Sequence, residues 1–230
     1  MNIVSVTGLL STCAFLIPVF LILFYRLFLN KSLMALLIYF VLTAMHNFMT
    51  LKVLTVPKEL ARGIGVAINY LDAPLMFTVL LFFCTAGWQR KGLLLSIVIF
   101  IGYELVVSGI YGFNATSLVY IMGPAILILG VYAGYFFTRA VKLSIQKNKA
   151  FGKTFMITSI LFAYGCYAMV YCFYYLQKSP AVADVFLIYY ISSFLASCLM
   201  GIGLYRYNKR FAQLKEVQVM RRELRVIFHS

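Results

Sequence analysis

Seven apolar stretches, at about residues 3–25, 32–54, 66–87, 92–112, 116–138, 154–177 and 183–205, occupy most of the chain. Each is apolar around its whole circumference, without the period-two alternation that strands of a membrane barrel require. Each also approaches or exceeds the roughly 20 residues that cross a bilayer core, where backbone polar groups must be paired within a helix or a closed barrel. The pattern predicts an all-α integral membrane protein, a seven-transmembrane helix bundle over residues 1–205. Residues 206–230 then form a basic amphipathic tail, in which Phe211, Leu214, Val217, Leu224 and Phe228 recur at three-, four- and seven-residue steps. Such a helix is expected to lie in the membrane interface or to dock a partner.

Punctuation within the runs adds detail. Pro57 is expected to open a short interfacial helical turn before the third run. Pro18, Pro74 and Pro124 fall inside the first, third and fifth runs. Each removes one helical hydrogen bond and frees a carbonyl, which a membrane helix tolerates where a neighbour takes it up. Small residues at helical spacing, Gly130 with Gly134 and Ser193 with Ser197 and Gly201, predict faces of close helix packing.

Charge orients this picture. The chain carries 20 Lys and Arg against 6 Asp and Glu, a net charge of +14. Lys52, Lys58, Arg62 and Lys178 fall in one set of connections, and every other cation falls in the alternate set or the tail. The positive-inside bias then puts the N-terminus outside and the C-terminus in the cytoplasm of an inner or plasma membrane, as an odd number of spans requires. Cytoplasmic cations attract anionic lipid headgroups by about 1 kcal/mol each, and 139–153 and 206–230 are candidate contacts for a cytoplasmic protein partner. No soluble domain is present to read a nucleic-acid groove, so no nucleic-acid partner is expected. The first run has no Lys or Arg before Arg26, so it reads as a retained span rather than a signal peptide. The five cysteines lie within spans and lack metal-ligand spacing.

Three ionisable residues sit inside runs, where each costs about 2.5–3.5 kcal/mol to insert and so points to function: His46, Asp72 and Glu104. Counted from the outer ends of their runs at ~1.5 Å per residue, they lie about 13, 9 and 12 Å deep. That predicts one polar layer in the outer half of the bundle. Asn47, Asn69, Tyr70 and Tyr103 flank the three, Tyr189 and Tyr190 reach the same level, and Tyr171 lies nearer the outer surface. No Lys or Arg belongs to the layer. Its carboxyls must therefore be protonated, hydrogen-bonded, wetted or bound to a cation.

The run Asn69-Tyr70-Leu71-Asp72-Ala73 resembles the third helix of the microbial rhodopsins, where Arg-Tyr-x-Asp-Trp places the counterion of the retinal Schiff base. The resemblance implies a seven-helix bundle with Asp72 at the counterion position. Asn69 and Ala73 depart from the motif, and no Lys occurs between Asp184 and Tyr205. Covalent retinal is therefore not expected, nor any other cofactor.

These readings converge on a sensor or receptor-like module. It would bind a small apolar or amphiphilic ligand in an outer-half cavity, through His46, Asn47, Asn69, Tyr70, Asp72, Tyr103, Glu104, Tyr171, Tyr189 and Tyr190, and signal to a cytoplasmic partner. A proton- or ion-coupled transporter or a lipid-modifying enzyme working from the same layer is the alternative, and an accessory subunit of a membrane complex is the third. No catalytic or metal-ligating residue is assigned.

Overall fold

The computed structural model describes residues 3–147, 150–177 and 182–229. Seven helices follow the seven runs: α1 Ile3–Phe24, α2 Lys31–Thr50, α3 Lys58–Leu80, α4 Gly87–Tyr111, α5 Ala115–Lys147, α6 Phe151–Tyr171 and α7 Val182–His229. All seven are long and apolar enough to cross a membrane, so the chain has the make-up of an all-α, multi-pass membrane protein.

Local chemistry sets the helix ends. The Asn30 side chain accepts the Ser32 N–H at 3.0 Å and caps α2. Gly112, at φ 77°, closes α4 in a backbone conformation that costs glycine little. Two residues later the Asn114 side-chain oxygen accepts the N–H groups of Thr116 and Ser117, and α5 begins. A 3₁₀ turn, Leu81–Phe83, extends α3, and a π-helical turn, Cys172–Leu176, extends α6.

Short connections between long helices make chain neighbours antiparallel. α7 packs against α6 and α1, α1 against α2, α2 against α3, α3 against α5 and α5 against α6, which closes a six-helix ring. α4 lies outside it, against α3 and α5. Its residues Leu95, Val98, Ile99, Leu105, Val106 and Ile110 are exposed. On a soluble protein that apolar face would seek a partner; on a spanning helix it meets lipid tails. The core inside the ring is continuous, from Phe15 and Ile22 through Leu36, Phe77 and Leu80 to Leu129, Met156 and Leu204.

Three expectations are corrected here. α3 begins directly after Pro57 rather than near residue 66, so the expected interfacial turn is its own first turns. The fifth connection is much shorter than 139–153, because Ala-Val-Lys-Leu-Ser-Ile-Gln-Lys holds no Gly or Pro and α5 continues through Lys147; Lys149 lies outside the described residues. The tail is not a separate helix: Leu204–His229 also contains no Gly or Pro, and the expected boundary at 205/206 falls inside a 48-residue α7. Lys178 lies outside the described residues, as do the side chains of Leu224 and Phe228.

Close packing also falls elsewhere than expected. A Cβ added at Gly130 or Gly134 would meet nothing within 4 Å. The tightest crossing is Gly152 of α6 on Gly203 and Tyr207 of α7, where a Cβ on Gly152 would lie 2.5 Å from the Tyr207 nitrogen. Ser193 and Ser197 are fully buried, and a Cβ on Gly201 would lie 2.8 Å from Ile17, so the α7 small-residue face is a packing face.

Candidate functional site

The candidate site starts from two carboxyls, one on the ring helix α3 and one on α4 outside it. Asp72 of α3 accepts a hydrogen bond from the Tyr164 hydroxyl of α6 at 3.0 Å, and Glu104 of α4 stands close enough to Asp72 for their charges to interact. Glu104 is 6% exposed, and its Oε1 has no hydrogen-bond partner among the described residues. No basic side chain among the described residues offsets the charge of Asp72.

From Tyr164 an aromatic ladder runs across the ring. The Tyr164 and Tyr167 rings stand 5.6 Å apart edge to face, and Tyr167 lies 5.5 Å from Tyr189. The hydroxyls of Tyr167 and Ser193 of α7 share a hydrogen bond at 3.0 Å. Tyr39 of α2 approaches Tyr167 from the other side. The Asn47 amide neighbours the Tyr189 hydroxyl; Asn47 is 3% exposed and its Nδ2 makes no hydrogen bond among the described residues. Tyr190 packs on Gly8 of α1, where an added Cβ would lie 3.2 Å from its ring. Four helices, α2, α3, α6 and α7, are thus joined through tyrosines.

The single layer dissolves in part. His46 packs on Gly65, whose added Cβ would lie 2.9 Å from Nε2. Gly65 precedes Asp72 by about two helical turns, or ~10 Å. The depth estimate fails because α2 ends at Thr50 and α3 starts at Lys58, which raises His46 and sinks Asp72. Among the described residues no three His, Cys, Asp or Glu stand together as a group that could hold a metal ion.

Other expected site residues serve the helices themselves. The Asn69 amide donates to the Gly65 carbonyl of its own helix at 2.7 Å. Pro124 cannot pair with the Tyr120 carbonyl, and the Tyr103 hydroxyl donates to that oxygen at 2.9 Å. The Tyr171 hydroxyl donates to the neighbouring Val119 carbonyl at 2.7 Å and lies over Gly123, where a Cβ would meet it at 2.7 Å. One tyrosine from each flanking helix thus supports the Pro124 region of α5. Tyr70 ties three helices: its hydroxyl donates to Ser117 Oγ at 2.7 Å, while Ser108 Oγ stands 2.8 Å from it and 2.7 Å from the Glu104 carbonyl oxygen.

Two cavities adjoin the ladder. An interior one of about 20 Å³ is lined by Tyr39, Tyr164, Tyr167, Ser159 and Ser197 among apolar residues, room for a single water. The second, about 580 Å³, is an apolar groove between α5 and α6, lined by Gly123, Leu127, Gly130, Tyr164, Gly165 and Tyr171, among others. Tyr164 lines both cavities. Sequence reasoning missed Tyr164 and Tyr167, although Tyr164, Tyr167, Tyr171 and Tyr175 recur at steps of three and four on one helix face.

No family model, no curated protein and no solved structure matches the chain.

Proposed function

We propose that the protein is a membrane sensor for a small apolar or amphiphilic molecule that enters from the bilayer through the α5–α6 groove. The observation that carries this reading is the position of Tyr164. Tyr164 lines the groove, and its hydroxyl donates to the half-buried Asp72 of α3. An occupant displacing Tyr164 would remove the hydrogen bond that its hydroxyl gives the Asp72 carboxyl, and an unpaired carboxyl away from water is costly. Tyr167 and Ser193 carry the change from α6 to α7, and α7 continues unbroken past the ring. With the positive-inside orientation that continuation is cytoplasmic, where it presents the signal to a protein partner. Within a rhodopsin-like bundle Asp72 would keep the counterion position, with a tyrosine hydroxyl in place of a cation.

The site differs from an outer-half pocket of ten residues: the ligand meets Tyr164 and Tyr171 along the groove, and Asp72 acts behind Tyr164. A proton- or ion-coupled transporter is the second reading, favoured by one observation, the unpartnered Glu104 oxygen beside Asp72.

Mass spectrometry of small molecules released from purified protein tests the first reading. Gly130→Leu adds bulk to the groove from a position where an added Cβ meets nothing within 4 Å. The wild type is expected to release an apolar molecule at near-stoichiometric yield and Gly130→Leu to release at least tenfold less. Equal release from both, or none from either, would remove the groove as a ligand site.

A further inference from the structure

A third cavity, about 490 Å³, opens at the α6–α7 crossing. Phe151, Gly152, Arg206, Lys209, Arg210, Gln213, Leu214 and Val217 line it. Its origin is the close approach at Gly152: the two backbones nearly touch there, then α6 ends and α7 runs on alone. A cleft is left between the first turn of α6 and the next three turns of α7. Three of its eight lining residues are cations and none is a carboxylate. The α6 N-terminus adds backbone N–H groups, since Ala150 at the N-cap has no side chain to satisfy them.

Position identifies the anion. The apolar segment of α7 from Val185 to Leu204 is long enough for the ~30 Å of a bilayer core, so Arg206, Lys209 and Arg210 stand in the first turns beyond it, at headgroup level. Phe151, Leu214 and Val217 give the same cleft apolar walls. A soluble anion would use only the cations. An anionic phospholipid uses both surfaces, its phosphate on the arginines and its glycerol and upper acyl chain on the apolar wall.

We infer that this cleft is a specific binding site for one anionic phospholipid, clamped by Arg206, Lys209 and Arg210 between α6 and α7. The site is independent of the α5–α6 groove and of its ligand. Two other cations at the same end of the bundle are already engaged: Arg139 donates to Gln89 at 2.8 Å and to Thr85, and Lys153 donates to the Phe82 carbonyl at 3.0 Å. A lipid in the cleft would bridge the start of α6 to the start of the α7 extension.

Native mass spectrometry of the full chain, released from nanodiscs of equimolar phosphatidylglycerol and phosphatidylcholine, tests this. The wild type should retain one phosphatidylglycerol. Arg206→Gln/Lys209→Gln/Arg210→Gln should retain at least tenfold less, and Lys31→Gln/Lys91→Gln/Lys142→Gln, which removes the same charge from exposed positions away from the cleft, should retain as much as the wild type. Gln213→Lys adds a cation to the cleft and should raise retention, a gain that misfolding cannot produce. Equal loss in both triple variants would mean diffuse attraction and overturn the site. So would displacement of the lipid by millimolar inorganic phosphate, which would mean that the cleft recognises phosphate alone.

Discussion

Tyrosine hydroxyls do much of the polar bonding inside this bundle, and glycines decide where helices touch. Both facts separate residues of one type into different roles. Gly130 and Gly203 are both mid-helix glycines, yet an added Cβ meets nothing within 4 Å at the first and the Met156 backbone nitrogen at 2.8 Å at the second. Gly203→Ala should therefore destabilise the protein by at least the ~1–3 kcal/mol of an overpacked contact, because a backbone cannot rotate away. Gly130→Ala should be neutral or mildly stabilising, gaining up to ~1 kcal/mol of helix propensity. Thermal unfolding in detergent checks both; equal effects would contradict the packing assignment. Spacing alone reveals that glycines share a face. It does not reveal which helix faces them, so this distinction was not legible in the sequence.

At the scale of the element, α5 shows how an internal proline is accommodated. Pro124 leaves the Tyr120 carbonyl without its helical donor, and Tyr103 of α4 supplies one. In the wild type, Tyr103→Phe should cost about 1 kcal/mol, the net worth of a hydrogen bond. In a Pro124→Ala background the Ala N–H can serve Tyr120 itself, and the same substitution should cost close to nothing. A double-mutant cycle on unfolding midpoints gives the coupling, and additive effects would show that the Tyr103 hydroxyl does not serve the freed carbonyl. The existence of each helix was legible, since hydrophobic runs of span length have few alternatives. Helix ends were less so. Lys58, Glu59 and Arg62 broke the apolar run and hid the first turns of α3, although charged residues extend a helix well enough where it leaves the apolar layer. The same bias hid the extensions of α5 and α7.

At the scale of the whole molecule, those hidden turns shifted the candidate site. Depth counted from run ends placed His46, Asp72 and Glu104 together, and the true ends separate His46 from the other two. Asp72 and Glu104 were legible as candidates because each is a rare carboxyl in the middle of a span. Tyr164 was not, for one tyrosine among 17 in the chain carries no mark of its own. Its role follows from ring closure, which sets α6 opposite α3 and leaves a groove between α5 and α6. The site proposed above is instead a groove between α5 and α6, with Tyr164 in its wall and Asp72 behind that tyrosine. The basic cleft lies between α6 and α7 and the groove between α5 and α6, so the two proposed sites share α6.

The central claim is that occupancy of the groove is felt by Asp72 through Tyr164. Infrared difference spectroscopy tests it most directly, comparing protein stripped of its co-purifying apolar molecule with protein to which that molecule is returned. A difference band in the carboxyl region is predicted, lost in Asp72→Asn and absent in Gly130→Leu, whose groove is obstructed. A spectrum without carboxyl change, or a band that persists in Asp72→Asn, would contradict the account.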